Sequence, residues 1–151
     1  MLAGHEAGDC VVDASVGIKL FLREPLSDAA HVLFAHLADD PPAQFYVPDL
    51  FFVECANILW KYVRRFGYPA ADAKQAIADL VTLPLEQVPT AVLVEDALAL
   101  ALETGCTAYD GVYAALARRL ALPLITADEA LVRRFAGSAA DVRMLDVGPF
   151  V

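Results

Sequence analysis

A chain of 151 residues that is 58% hydrophobic, with a mean hydropathy of +0.51, has the length of one domain and enough apolar surface for a single core. Its most apolar stretch, AVLVEDALALAL, is broken by Glu95 and Asp96, which excludes a membrane-spanning helix of roughly 18 or more apolar residues. Twenty acidic residues against eleven basic ones, a formal net charge of −9, exclude a nucleic-acid binder that works through a broad positive field, so any contact with RNA has to be local.

Residues 1–9, MLAGHEAGD, carry neither a basic start nor an apolar segment and read as a loose leader, not a signal peptide. A single domain is expected over 10–151. It opens with a strand, CVVD (10–13), followed by helices over 15–23 and 27–38. QFYVP (44–48) is the second strand. Helices over 49–66 and 70–82 follow, joined by FGYP, whose Gly67 stops one helix and whose Pro69 starts the next; they form a helical hairpin, either a partner surface or a lid. LEQVP (85–89) is the third strand, helices cover 91–104 and 108–121, and LPLIT (122–126) is the fourth strand. A helix over 128–135 and a strand VRML (142–145) complete the chain. Pro25, Pro48, Pro69 and Pro89 lie near helix starts, where proline does least harm. Short apolar strands alternating with helical periods predict an α/β fold, a mostly parallel sheet of about five strands flanked by helices.

Cys10, Cys55 and Cys106 are odd in number and widely spaced among apolar neighbours, as reduced core cysteines in a reducing cytoplasm would be. His5, His31 and His36 read as leader or surface residues, because no spacing among them suits a zinc site.

Ligands of a parallel α/β sheet bind at the carboxyl ends of its strands. Asp13 and Asp128 both stand at such ends, one after CVV and the other after LPLITA. Each could instead cap the helix that follows, and Ser15 could serve as an alternative cap or orient the Asp13 carboxylate. Glu54 lies inside DLFFVECANILW, where a charged group would lose hydration without return. Glu54, Asn57 and Lys61 share a helix face, and a pairing of Glu54 with Asn57 or Lys61 on a wet stripe is the lesser alternative. Asp110, near the start of a helix in CTAYDGVYAALA, could simply complement the helix dipole. Small residues at Gly111, Ala114 and Ala115 would instead let that helix pack against the sheet with Asp110 aimed at the strand ends. Several carboxylates and no clustered Cys or His suit a hard cation, Mg²⁺ or Mn²⁺.

VVDASV, VECANILW, TAYDGVYAALA and LITADEAL, in that order over about 135 residues, resemble the PIN-domain ribonucleases, most closely the VapC toxins of toxin–antitoxin pairs. The resemblance puts the family's four acids on Asp13, Glu54, Asp110 and Asp128. Thr126 matches the hydroxyl two places before the last acid, and Asn57 an amide beside the helical one. It implies a three-layer PIN-like fold, RNA endonuclease activity with Mg²⁺ or Mn²⁺, a homodimer, and a VapB-type antitoxin whose tail lies across the active site, in a larger hetero-oligomer.

The chemistry expected is metal-assisted hydrolysis, in which the cation lowers the pKa of a water and offsets charge on the phosphodiester. Lys19, Arg23, Lys61, Arg64, Arg65, Arg118 and Arg119 are candidate phosphate contacts, although for any one of them a solvated helix face is the stronger reading. A haloacid-dehalogenase-like phosphatase would need a second Asp where this chain has Ser15. A receiver-like module would need a late lysine, and none follows Lys74. A degenerate PIN binding module would keep the acids without turnover.

Overall fold

The computed structural model describes residues 8–146. Five strands, β1 (Cys10–Val12), β2 (Phe45–Pro48), β3 (Glu86–Val88), β4 (Leu124–Thr126) and β5 (Val142–Met144), pair in parallel in the order β3-β2-β1-β4-β5. Parallel neighbours need long crossovers, and seven helices supply them. These are α1 (Ala14–Gly17), α2 (Ser27–Ala35), α3 (Leu50–Phe66), α4 (Ala70–Leu80), α5 (Val94–Thr104), α6 (Ala108–Leu120) and α7 (Glu129–Phe135).

Every strand lies inside a segment expected from the sequence. Several helices are shorter than expected because their ends tighten into 3-10 turns: Ile18–Leu20 after α1, His36–Ala38 after α2 and Thr90–Val92 ahead of α5. The turn after α1 replaces a helix expected to run to residue 23, and within it Lys19 turns inward and becomes buried. The helix pair α3 and α4 forms as expected, with Gly67 at φ +67 closing α3, the left-handed geometry that glycine adopts without strain.

β1 and β4 are buried along their whole length, whereas the edge strands β3 and β5 are partly exposed. From β1 the chain moves to β2 on one side, and from β4 it moves to β5 on the other. The crevice beyond the carboxyl ends of β1 and β4 is therefore the topological switch point of the sheet, where such folds bind ligands. Register pairs Val11 with Leu124 and Val12 with Ile125, and the ladder continues as Asp13 N–H donates to the Ile125 carbonyl at 3.1 Å.

Two glycines set the helix packing around this crevice. A Cβ on Gly17 of α1 would lie 2.6 Å from Phe51 of α3, and one on Gly111 of α6 would lie 2.4 Å from the Ala97 carbonyl oxygen of α5. Gly111 thus lets α6 close on α5, which corrects the expectation that it serves packing on the sheet; Ala114 and Ala115 are buried in the core.

Cys10 and Cys55 are free and buried, and burial raises both thiols well above their ordinary value. Cys106 is only half-buried, its sulfur 3.2 Å from the Thr104 hydroxyl, so it is not a core residue as expected. His31 is exposed and His36 pairs with Asp39 at 2.7 Å. Residues 1–7 of the leader, His5 included, lie outside the described residues. Asp9 is buried, and its Oδ1 accepts the Gln44 N–H at 2.8 Å. Exposed apolar surface gathers in two places: Val94, Leu98 and Leu102 along α5, and a groove of about 410 Å³ between α3 and α4 that holds Trp60. Among the described residues no helix is long and apolar enough to cross a membrane.

Candidate active site

Asp13 follows β1 and occupies the N-cap position of α1, but its side chain makes no capping bond. Its carbonyl accepts the N–H groups of Val16 and Gly17, and the carboxylate is left for other partners. Ser15 Oγ donates to Oδ2 at 2.9 Å and Thr126 Oγ1 donates to the same oxygen at 2.8 Å. Both hydroxyls are oriented from behind: Ser15 Oγ accepts the Ala127 N–H, and Thr126 Oγ1 accepts the Asp128 N–H, each at 3.1 Å. With its lone pairs so engaged, each hydroxyl is set to give its proton to Asp13. Burial nonetheless raises the Asp13 carboxyl above the usual carboxylate range, against the lowering effect of these two bonds.

Glu54 comes from α3, which the Gly17–Phe51 contact holds against α1. Its Oε2 accepts the Tyr113 hydroxyl of α6 at 3.2 Å. Its Oε1 is buried with no partner, the one such side-chain oxygen or nitrogen among the described residues. The pairing with Asn57 or Lys61 considered from the sequence is not what holds it; both those residues are exposed. Burial pushes the Glu54 carboxyl up to about 7, the Asp13 charge adding to the effect, the Tyr113 bond opposing it and Asp110 adding a little more.

Asp110 lies in the first turn of α6, whose N-cap is Thr107; the Thr107 hydroxyl accepts the Asp110 N–H at 3.1 Å. Its carboxyl is raised by burial first and then by the charge of Asp13. The Thr107 hydroxyl lowers it, Asp128 raises it, and Arg134 lowers it. Asp128 does cap α7, as the plainer reading held: Oδ1 accepts the N–H groups of Ala130 at 2.9 Å and Leu131 at 3.3 Å. Its other oxygen is not part of the cap, and the residue is exposed.

Four acids on separate stretches of chain are therefore close enough to sense one another. Glu54 feels Asp13 and Asp110, while Asp110 feels Asp13 and Asp128. Like charges held together spread apart, and among the described residues no three acidic, imidazole or thiol groups are drawn tightly enough to hold a cation as they stand. The donor set nevertheless fits a hard divalent ion: all oxygen, with one buried carboxylate oxygen left unpartnered. A cleft of about 440 Å³ adjoins Asp128 and Ser15, lined also by Ile58, Ala127, Lys19 and Glu24; Asp13, Glu54 and Asp110 are not part of its lining.

Of the basic residues singled out from the sequence, Lys19 alone lines this cleft. Lys19 is bound to Glu24 at 2.7 Å, and Glu24 also accepts the Tyr62 hydroxyl. Arg64 stacks over Trp60, and Arg118 reaches Asp96 at 3.9 Å. Along their helices Arg64 and Arg65 stand roughly 15 Å or more beyond Glu54, Lys61 about 10 Å beyond it, and Arg118 and Arg119 about 12 Å or more beyond Asp110. Arg23 is exposed in the loop ahead of α2. Sequence reading missed Tyr113 and Arg134. Tyr113 lies one turn after Asp110 among small core residues, a hint of a buried hydroxyl needing an acceptor, whereas Arg134 in the last turn of α7 has no signal apart from an ordinary helix end.

The sequence matches the PIN domain family model over residues 10–137. It is 34% identical over 127 residues to Ribonuclease VapC3 of Pyrobaculum aerophilum, covering 83% of this chain and 93% of that protein. The crystal structure of PAE2754 from Pyrobaculum aerophilum superposes with a TM-score of 0.66 at 25% identity, over 94% of this chain and 87% of that one. A toxin–antitoxin complex from Klebsiella pneumoniae gives a TM-score of 0.59 at 21% identity over 85% of this chain and 92% of that one. VapBC2 from Rickettsia felis, bound to a DNA fragment from its promoter, gives 0.62 at 13% identity over 90% and 98%. With its parallel sheet, its acids at the switch point and these matches, the chain belongs to the PIN domain family.

Proposed function

We propose that this chain is a divalent-metal-dependent endoribonuclease that acts as the toxin of a VapBC-like pair, with Mg²⁺ or Mn²⁺ held by Asp13, Glu54, Asp110 and Asp128. The observation that carries this reading is the unpartnered, buried Glu54 Oε1 in a group of mutually repelling carboxylates at the sheet's switch point. A bound divalent cation supplies the positive charge that acidifies a water and offsets the charge that builds on the phosphodiester.

The chain's own residues supply orientation. Ser15 and Thr126 fix the Asp13 carboxylate through Oδ2, and Tyr113 fixes Glu54 through Oε2. Asp128 is anchored by the backbone of α7, so its side chain is held with little loss of entropy on binding. Ser15 and Thr126 both hold Asp13 and so act as positioning groups in this reading, with the attacking oxygen assigned to water. The same two bonds restrain the carboxylate that a phosphatase would use as its nucleophile, which disfavours that rival.

The toxin–antitoxin complexes among the structural neighbours support an antitoxin as partner, and we assign a second copy of the chain as the other. The exposed apolar surfaces of α5 and of the α3–α4 groove are of the kind that partners cover. The reduced, buried thiols of Cys10 and Cys55 support a cytoplasmic location.

Expression without an antitoxin is expected to arrest growth, and Asp13→Asn and Asp128→Asn to relieve the arrest while leaving the protein folded. The purified protein should cleave RNA with Mg²⁺ or Mn²⁺ and stop in EDTA. Intact RNA together with hydrolysis of a small phosphate monoester would overturn the reading in favour of a phosphatase.

A further inference from the structure

Arg134 is held beside the loop that leads to Asp110 by a bond to a glycine carbonyl. Its Nη1 donates to the Gly105 carbonyl at 3.0 Å. Gly105 ends α5 at φ +78, and a Cβ there would sit 3.0 Å from that same nitrogen. From Gly105 the chain runs through Cys106 to Thr107, whose hydroxyl caps the helix that carries Asp110. Arg134 thus reaches from the helix capped by Asp128 to the loop that delivers Asp110. Along α7 it stands about 9 Å beyond Asp128.

A guanidinium has five N–H donors in a planar fork. One is engaged by Gly105, and the residue is exposed, so the rest of the fork is open to solvent beside the acids. An RNA strand entering a carboxylate site on a chain of net charge −9 needs a local cation. Of the seven basic residues suggested by sequence, Lys19 and Arg118 are paired with acids and Arg64 lies over Trp60, whereas Arg134 is bonded to the loop that delivers Asp110. We propose that Arg134 is a substrate-binding residue that grips an RNA phosphodiester flanking the bond that is cut, an assignment that rests on the nuclease reading.

The test compares Arg134→Gln, Arg134→Lys and, as a control on the same helix, Arg133→Gln. Cleavage of single-stranded RNA is followed as kcat and KM across a range of KCl, with a thermal melt of each variant. Arg134→Gln should raise KM roughly tenfold or more with kcat nearly unchanged. It should also flatten the dependence of log(kcat/KM) on log salt by about 0.7 for the lost phosphate contact. Arg134→Lys should recover part of the loss, since it keeps the charge but not the fork, and Arg133→Gln should match the parent. An unchanged KM and salt slope in Arg134→Gln would overturn the assignment alone. So would a fall in kcat that tracks a lower melting temperature and is not rescued by lysine, which would make Arg134 a structural strap. A parent protein that cuts no RNA would overturn the nuclease reading and the assignment with it.

Discussion

Replacing Glu54 by glutamine in metal-free buffer tests the electrostatics of the acid group directly. The Glu54 carboxyl lies near 7 in the folded protein against 4.5 for an ordinary glutamate. Between those values the native state binds more protons than the unfolded chain, so stability falls as pH rises through this window and levels off above it. The full shift corresponds to about 3 kcal/mol. Glu54 is only half-buried, and solvent screening reduces this to roughly 1–2 kcal/mol. Glutamine does not titrate, so the variant should lack this part of the slope. A buried, unpaired amide has its own cost, but that cost is the same at every pH and cancels when two pH values are compared. Melting temperatures in EDTA at pH 5 and pH 8 should therefore show the variant gaining on the parent by about 3–6 °C between the two. Saturating Mn²⁺ at pH 8 should remove that gain, because a cation that binds only the folded parent stabilises it by mass action. A difference between variant and parent that stays constant from pH 5 to pH 8 would refute the raised Glu54 carboxyl and the burial, reinforced by the Asp13 charge, that raises it.

Gly111→Ala should lower the melting temperature by several degrees, since overpacking costs about 1–3 kcal/mol and the added methyl meets backbone, the Ala97 carbonyl at 2.4 Å; an unchanged melt would mean that α5 and α6 are not so tightly joined. Thr126→Val removes the hydroxyl that links Asp13 to the Asp128 backbone, at a cost of about 1–3 kcal/mol. It also removes a bond that lowers the Asp13 carboxyl, so the acid limb of the cleavage profile should move to higher pH, and a profile that stays in place would remove Thr126 from its positioning role.

The sheet was legible from local pattern alone, because the inner strands β1, β2 and β4 are short apolar runs, the edge strands β3 and β5 lie between turn signals, and the crossovers are helices with their own period and stops. Asp13, Glu54, Asp110 and Asp128 could be picked out as candidates because two follow strands and two interrupt apolar helices, places where a charge is costly unless it is used. Sequence alone left open whether Asp13 and Asp128 were caps. The tertiary structure answers differently for each: the Asp13 carboxylate is held by the hydroxyls of Ser15 and Thr126, while Asp128 caps α7 through one oxygen only. Pattern could not show the contact of Tyr113 with Glu54, the diversion of Lys19 to Glu24, or the seat of Arg134 on Gly105. The first and third are set by how separate elements meet, with separations of 59 and 29 residues along the chain, and the second, over five residues, by the 3-10 turn that replaces the expected helix. Burial and periodicity act on neighbours a few residues apart and so can be read from the chain, whereas hydrogen bonds between elements depend on packing distances that only the folded arrangement of α1, α3, α6 and α7 determines.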